Sequence, residues 1–569
     1  MKAGGARGLL REFVPKSVVV LREGYGAREL RADAIAGLTV AIVALPLAMA
    51  LAIASGAAPE KGLHTAIVAG FLISALGGSR VQIGGPTAAF IPVVFSIIQQ
   101  FGYGGLILCT LLAGLMLIAA GLMRLGTLMK YMPQPVITGF TAGIAVGIFS
   151  SQIKDALGLR IEQVPAEFLP RLAAYAEHIA TAQPAAIALT ALGLFAILAL
   201  RRWRPTWPGF LIALLLCTAA CTAFGMPADT IGSRFGGLPS ALPSFDIPHI
   251  PFERTRELLP GAFTIAFLAG VESLLSAVVA DGMTGGRHRS NMELVAQGVA
   301  NSASALFGGL PATGAIARTA TNIRAGARTP VAGMVHAGFL LLFMLLLAPL
   351  MRYVPLAGLA AILLVVAWNI SEVEAFRHTL SAPKGDRLVL LLTFFLTVFF
   401  DLTIAIEVGV VVAAFVFMFR MAEAVEIQSG LRMPEGDDEG GADPTQRARL
   451  PAGVEAFQIS GPLFFGAANR LDDLLDQFRV APKVFILRMR LVPVIDASGV
   501  HALKTLLERC RRRGIVLVVS GLQSQPRRVL AQMRLQPHEE ALHIVPDFDS
   551  ALRLAEALIA GTATRDLAS

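Results

Sequence analysis

Two short motifs carry the chemistry this chain can do. Residues 84 to 88 read GGPTA and residues 304 to 313 read SALFGGLPAT, so a Gly-Gly, a Pro and a Thr recur at nearly the same offset, once in each half of the apolar part of the chain. Gly84, Gly85, Gly308 and Gly309 let backbone approach backbone closely. Helices beginning near Thr87 and Thr313 would present unpaired backbone N–H groups and a partial positive charge to whatever lies between them. Such a pair of helix starts selects anions, and the candidate binding set is Thr87, Ala88, Thr313, Gly314 and Arg318. Arg318 lies five residues past Thr313 inside an apolar segment, where a cation adds attraction for an anion. Glu272 sits halfway along another such segment, TIAFLAGVESLLSAVV. An ionised carboxylate at that depth costs about 2.5 to 3.5 kcal/mol on insertion scales, which makes Glu272 the candidate site for a coupling proton. A structural salt bridge to Arg318 is the alternative. Asp281, Asp401 and Glu407 lie nearer segment ends and read as interfacial.

Such residues need a membrane frame to hold them. The chain has 569 residues, 55% hydrophobic and 15% charged, with a mean hydropathy of +0.66, which excludes a soluble enzyme of this size. Fourteen apolar segments follow, seven in each half: roughly 34 to 54, 62 to 78, 86 to 101, 104 to 123, 134 to 157, 184 to 201, 208 to 224, 258 to 281, 291 to 307, 313 to 325, 330 to 350, 354 to 370, 385 to 401 and 403 to 422. The third and tenth, which carry the repeated motif, are too short to span and read as half-helices. Gly/Pro-interrupted segments at corresponding places in two halves are the pattern of an inverted-repeat transporter with its site near mid-membrane. The last two segments share an apolar run broken by Asp401 and read as short or half-inserted.

Residues 1 to 32 are polar and read as a cytoplasmic N-terminal segment without a cleavable signal. With that end inside, the short basic turns carrying Arg80, Arg124, Arg201, Arg202, Arg287, Arg324 and Arg377 all fall on the cytoplasmic side, as the positive-inside rule requires. An even segment count returns the chain to the cytoplasm. The transport domain spans 33 to 425, a Gly/acidic linker spans 426 to 451, and 452 to 569 alternates strand and helix patterns as a small α/β domain. In that domain 454 to 466 reads as two strands around a turn, 484 to 490 and 515 to 521 as buried strands, and 467 to 479, 499 to 513 and 525 to 533 as helices. Its noticeable motif is DASG, Asp496 to Gly499, where Ser498 would cap or open a helix. Cys217 and Cys221, four apart in an apolar run, read as one helix face, and the four cysteines have no metal spacing. No nucleophile set, phosphate loop or metal cluster points to an enzyme or a cofactor. The charge of +8 suits anionic lipid and does not require nucleic acid.

The stretches LTVAIVALPLAMALAIASG (38 to 56), SRVQIGGPTAAF (79 to 90), PQPVITGFTAGIAVGI (133 to 148), ESLLSAVVADGMTGGRHRSNMELVAQGVAN (272 to 301) and GGLPATGAIARTATNIRAG (308 to 326) closely resemble the SulP sulfate-permease family of solute-carrier anion transporters, to which prestin also belongs. The tail resembles a STAS domain, and DASG matches the loop where anti-sigma-factor antagonists are phosphorylated on the serine, here Ser498. The resemblance implies a seven-plus-seven inverted repeat, a mobile core domain working against a gate domain, and homodimers. It puts the half-helix starts on Thr87 and Thr313 and the binding-site arginine on Arg318, with Ala317 where animal members have serine. Where cyanobacterial bicarbonate members carry an aspartate for sodium, this chain has Glu272, as in proton-coupled members.

The expected function is secondary active transport of an anion of the dicarboxylate, sulfate or bicarbonate class. It is expected to be proton-coupled, in a multi-pass protein of a cell (inner) membrane. The alternatives are an anion channel, a sodium-coupled bicarbonate transporter, and a STAS-based regulator with a membrane anchor. Backbone N–H groups recognise all these anions, so the sequence leaves the substrate open.

Overall fold

The computed structural model describes residues 12–127, 132–205, 207–237, 245, 252–400, 402–423, 426–429, 450–464, 475, 481–535, 537 and 541–566. The chain divides into two compact units, residues 1–413 and 414–569.

The first unit is helical: α1 (Lys16–Glu23), α2 (Ala27–Ala54), α3 (Pro59–Leu76), strand β1 (Gly84–Gly85), α4 (Ile91–Leu122), α5 (Gln134–Leu157), α6 (Phe168–Glu177), α7 (Pro184–Trp203), α8 (Gly209–Ala223), α9 (Ile231–Phe235), α10 (Thr255–Thr284), α11 (Ser290–Leu306), strand β2 (Thr313–Gly314), α12 (Ile316–Arg324), α13 (Val331–Met351), α14 (Leu356–Ile370), α15 (Val373–Leu380), α16 (Lys384–Phe399) and α17 (Leu402–Glu423), within which the division falls. Each of the fourteen apolar stretches coincides with helical backbone. Eight helices among the described residues are long and apolar enough to cross a membrane. Phe195, Leu198, Leu215, Phe395, Phe415 and Phe417 stand exposed, as hydrocarbon-facing side chains must.

The third and fourth stretches form one α4 interrupted at Gly102, whose φ of 69° breaks the helix. A turn of 3₁₀ helix at Ala88–Phe90 precedes it. The tenth stretch is shorter than expected: α12 has nine residues and starts at Ile316, because Thr313 and Gly314 are extended and paired with β1. The connection between the fifth and sixth apolar stretches contains α6. The break at Asp401 lies outside the described residues, with α16 ending at Phe399 and α17 starting at Leu402.

Small residues set the helix packing. A Cβ on Gly114 of α4 would lie 2.7 Å from Gly298 O, and one on Gly298 of α11 would lie 2.5 Å from Gly114 O, so these two helices touch backbone to backbone. Cys217 and Cys221 share one buried face of α8, packed with Leu189 and Ala357.

The second unit holds a five-stranded sheet in the order β3 (Glu426–Ser429), β4 (Val454–Ser460), β5 (Val484–Leu491), β6 (Val516–Ser520), β7 (Leu542–Val545), with β3 antiparallel to β4 and the rest parallel. Helices α18 (Ala497–Arg512), α19 (Ser524–Gln532) and α20 (Phe548–Asp566) accompany it. Two expectations are corrected here. Residues 426 to 429, placed in the linker, form an edge strand. Among its described residues the stretch from 454 supplies one strand, and Leu463 beyond it makes an isolated bridge to Ile495. The expected helix at 467–479 lies outside the described residues except for Leu475.

Candidate functional site

Strands β1 and β2 pair antiparallel, Gly84 with Gly314 and Gly85 with Thr313, so the two repeated motifs meet directly. Two residues a side make a weak ladder, and polar groups from α10 and α12 brace it. Ser273 Oγ accepts from Gly314 N at 3.0 Å and bonds Thr313 Oγ1 at 2.7 Å. Gln82 Nε2 donates to Ser273 O at 3.0 Å. Ile83 N donates to Thr319 Oγ1 at 3.1 Å, and Ala315 N to Ile83 O at 2.8 Å. Buried backbone polar groups that leave the regular ladders must find partners, and this seam supplies them.

Beside the seam lies a cavity of about 350 Å³. Thr87, Ala88 and Ala89 line it from the start of the first motif helix. Gly314, Ala315, Ile316, Ala317 and Arg318 line it from the second, Glu272 from α10, and Leu47, Thr141, Phe210 and Asn369 from the helices opposite. The first amides of a helix have no acceptor within it, so the start of α12 offers N–H groups to this space. Helix α12 carries its positive end here, the end that favours an anion.

Arg318 is 4% exposed. Its Nη2 donates to Pro86 O, while Nε and Nη1 have no hydrogen-bond partner. Gly85 admits this guanidinium: a Cβ there would lie 2.6 Å from Arg318 Nη1, at a φ of +151°. Glu272 accepts from Thr87 Oγ1 at 2.9 Å. Among the described residues no ion pair joins Glu272 to Arg318, so the salt bridge left open by the sequence is not the arrangement here.

Five of the six membrane candidates therefore surround one cavity: Thr87, Ala88, Gly314, Arg318 and Glu272. Thr313 does not. It is fully buried, its hydroxyl turned to Ala269 O at 2.9 Å and to Ser273, so it fastens β2 to α10. Gly314 lines the cavity with its N–H already taken by Ser273, which moves the free amides of the second motif to the first turn of α12.

Sequence reasoning missed Gln82 and Thr319, whose polar types in apolar runs were a faint signal; Ser273, readable from the sequence as a hydrogen-bond partner near Glu272, bonds Thr313 and Gly314. It also missed Glu293 on α11, which is fully buried and accepts from Gly78 N at 2.8 Å and Gln297 Nε2 at 2.9 Å, fastening the end of α3 to α11. Ser498, in the second unit, is the second residue of α18. The cap is Asp496, whose carboxylate accepts from Gly499 N at 2.8 Å. Ser498 is thus an open, half-buried hydroxyl in the first helical turn rather than the cap.

Residues 30–393 match the model of the sulfate permease family, and residues 447–551 match the STAS domain. The chain belongs to the sulfate permease family. It is 44% identical over 510 residues to the putative sulfate transporter YvdB of Bacillus subtilis, covering 89% of this chain and 94% of that one. It is 30% identical over 523 residues to the bicarbonate transporter BicA of Synechocystis, covering 89% and 91%. The solved transmembrane domain of a cyanobacterial BicA superposes with a TM-score of 0.62 at 31% identity, over 68% of this chain and 98% of that one. Murine Slc26a9, at 18% identity, shares the fold with a TM-score of 0.85 over 97% and 95%. This family member is a helical membrane protein with a transporter fold followed by a STAS domain.

Proposed function

We propose that this sulfate permease family member is a proton-coupled secondary transporter of small anions. Its substrate sits in the cavity between Thr87 and the first turn of α12, and the motif helices move as part of a core domain against a gate domain. The observation that carries the reading is Arg318: a guanidinium with two unpartnered nitrogens beside that cavity is a cation awaiting an anion. Glu272 holds the coupling proton, since its carboxylate lines the same space with Thr87 as its partner instead of a fixed cation. Co-binding a proton cancels charge while an anion crosses. The reading extends to a homodimer in a cell inner membrane, with the N-terminus and STAS domain cytoplasmic. The STAS domain acts as a regulatory or assembly module, and Ser498 is its candidate phosphorylation site.

The test is radiotracer uptake into proteoliposomes with sulfate, bicarbonate, fumarate and succinate, under an inward proton gradient and without one. Saturable, gradient-driven accumulation of at least one anion supports the reading. A flux that never saturates would mark a channel instead. The identity to a bicarbonate transporter favours a second reading, bicarbonate uptake, and a sodium gradient at constant pH distinguishes its sodium-coupled form from proton coupling.

A further inference from the structure

A second cavity, of about 80 Å³, lies along the same helices. The two cavities share their walls in order. Helix α2 contributes Leu47 and Leu51 to the first and Ile53 and Ala54 to the second; α5 contributes Thr141 to the first and Gly147 and Ser151 to the second. The first motif helix does the same, with Ala88 and Ala89 in one and Pro92 and Phe95 in the other. On the α5 face that runs from Thr141 to Ser151, Ile144 and Ile148 lie between the two cavities' lining residues and are buried in the same apolar cluster as Leu51 and Ile91. In the other direction the first cavity leads to a larger one that shares Val43, Phe210, Thr321 and Asn369 with it and reaches Arg201 and Trp207. One path is thus open toward the Arg201 turn and closed by an apolar layer toward the small cavity.

The small cavity is built for negative charge. Lys154, Arg171 and Arg234 line it against a single carboxylate, Asp155, which Arg234 Nη1 holds at 2.7 Å. Lys154 Nζ donates to Ile161 O at 2.6 Å. Arg171, 8% exposed, donates to Pro165 O, Ala166 O and Ser150 Oγ and stacks on Phe95 with Cζ 5.6 Å from the ring centre. Tyr175 is 4% exposed, lines the cavity, and its hydroxyl has no hydrogen-bond partner. Burial pushes this phenol up to about 12, so it remains a donor.

We propose that this cavity is the closed far mouth of the transport path and an anion-collecting site, with Tyr175 OH, Lys154 and Arg171 receiving a small oxyanion or carboxylate before it reaches Arg318. The Arg171–Phe95 stack is the latch: Phe95 belongs to the motif helix and Arg171 to α6, so movement of the first against the second opens the mouth. The inference rests on the reading of the Arg318 cavity as the transport site.

Single cysteines at Ser151 and at Asn369, in the full chain in proteoliposomes, test it with a membrane-impermeant maleimide. All four native cysteines are buried, which keeps the background low. During turnover Ser151→Cys reacts from one side of the membrane and Asn369→Cys from the other, and sulfate, bicarbonate or succinate slows the Ser151→Cys reaction. Adding Tyr175→Phe, which keeps the ring packing, raises the concentration needed for that protection about three- to tenfold, the effect of losing one donor to an anion. Labelling of both positions from the same side, no protection by any of the three anions, or protection curves unchanged by Tyr175→Phe would each overturn the proposal. Failure of the underlying reading has a different signature: Arg318→Gln would leave tracer uptake intact.

Discussion

Thr87 Oγ1 donates a 2.9 Å hydrogen bond to Glu272 Oε2 across 185 positions of sequence, joining the start of the first motif helix to the middle of α10. The bond puts a carboxylate that lines the cavity in contact with a residue at the start of the first motif helix, which lines it too. On the proposed reading, this hydroxyl is the link through which protonation of Glu272 would be coupled to occupation of the anion site.

Arg318→Lys keeps the charge and removes the planar fork. A lysine presents a single ammonium, so it cannot both hold Pro86 O and offer two further nitrogens to the cavity. We expect KM for the transported anion to rise roughly tenfold while the protein still inserts and folds. An unchanged KM would remove Arg318 from the binding site.

Gly85→Ala and Gly314→Ala test the close approach on which the site is built. The new Cβ would fall 2.6 Å from Arg318 Nη1 in the first case and 1.6 Å from Gln82 Nε2 in the second. Each must displace a buried polar side chain. Uptake per inserted molecule should fall more than about tenfold for both, as expected when binding groups are moved by an ångström or so. Gly282→Ala is the control, since nothing lies within 4 Å of a Cβ there.

In the STAS unit the cap and the neighbouring serine separate cleanly. Asp496→Ala removes the carboxylate that holds Gly499 N and should cost about 1 kcal/mol of domain stability. Ser498→Ala should cost a small fraction of that. Chemical denaturation of the full chain, followed by hydrogen exchange on peptides from α18, measures both. Equal losses would mean that Ser498 shares the cap.

The domain boundary gives a fourth expectation. Because β3 pairs with β4 along all four of its residues, a STAS fragment beginning at Val454 exposes the β4 edge and should aggregate more readily than one beginning at Glu426. Truncation after residue 425 should reduce assembly or rate and leave anion preference intact. A changed preference would place part of the site outside the membrane unit.

Much of this was legible in the sequence because long apolar runs leave few options, and the helix at 134–157 was read to the residue. The Gly-Pro-Thr motifs pointed to the seam and the cavity beside it for a similar reason: glycine and proline inside apolar segments have few other uses. What stayed hidden was fine geometry. A strand of two residues has no periodicity to detect, so Thr313 was placed at a helix start instead of in β2. Glu293 stayed hidden because a carboxylate satisfied by a distant backbone N–H looks, in sequence, like one near a segment end. Glu426–Ser429 offers four residues of weak alternation beside an acidic glycine-rich run, and its strand exists only because β4 presents an edge. Helix α6 lies between two apolar stretches and is too short and too polar to register as one, although its Arg171 and Tyr175 are buried.

The central claim is that Glu272 carries the coupling proton, and Glu272→Gln tests it most directly. Glutamine imitates the protonated carboxyl and can still meet Thr87 Oγ1, so anion binding and anion exchange between the two sides of a proteoliposome should persist at near wild-type rates. Accumulation of anion against its gradient, driven by an inward proton gradient, should disappear. The measurement is tracer accumulation under a fixed pH difference, with exchange recorded on the same preparation. Retained exchange with lost accumulation is the predicted result. Accumulation equal to that of the wild type would contradict the account and assign the proton to another group.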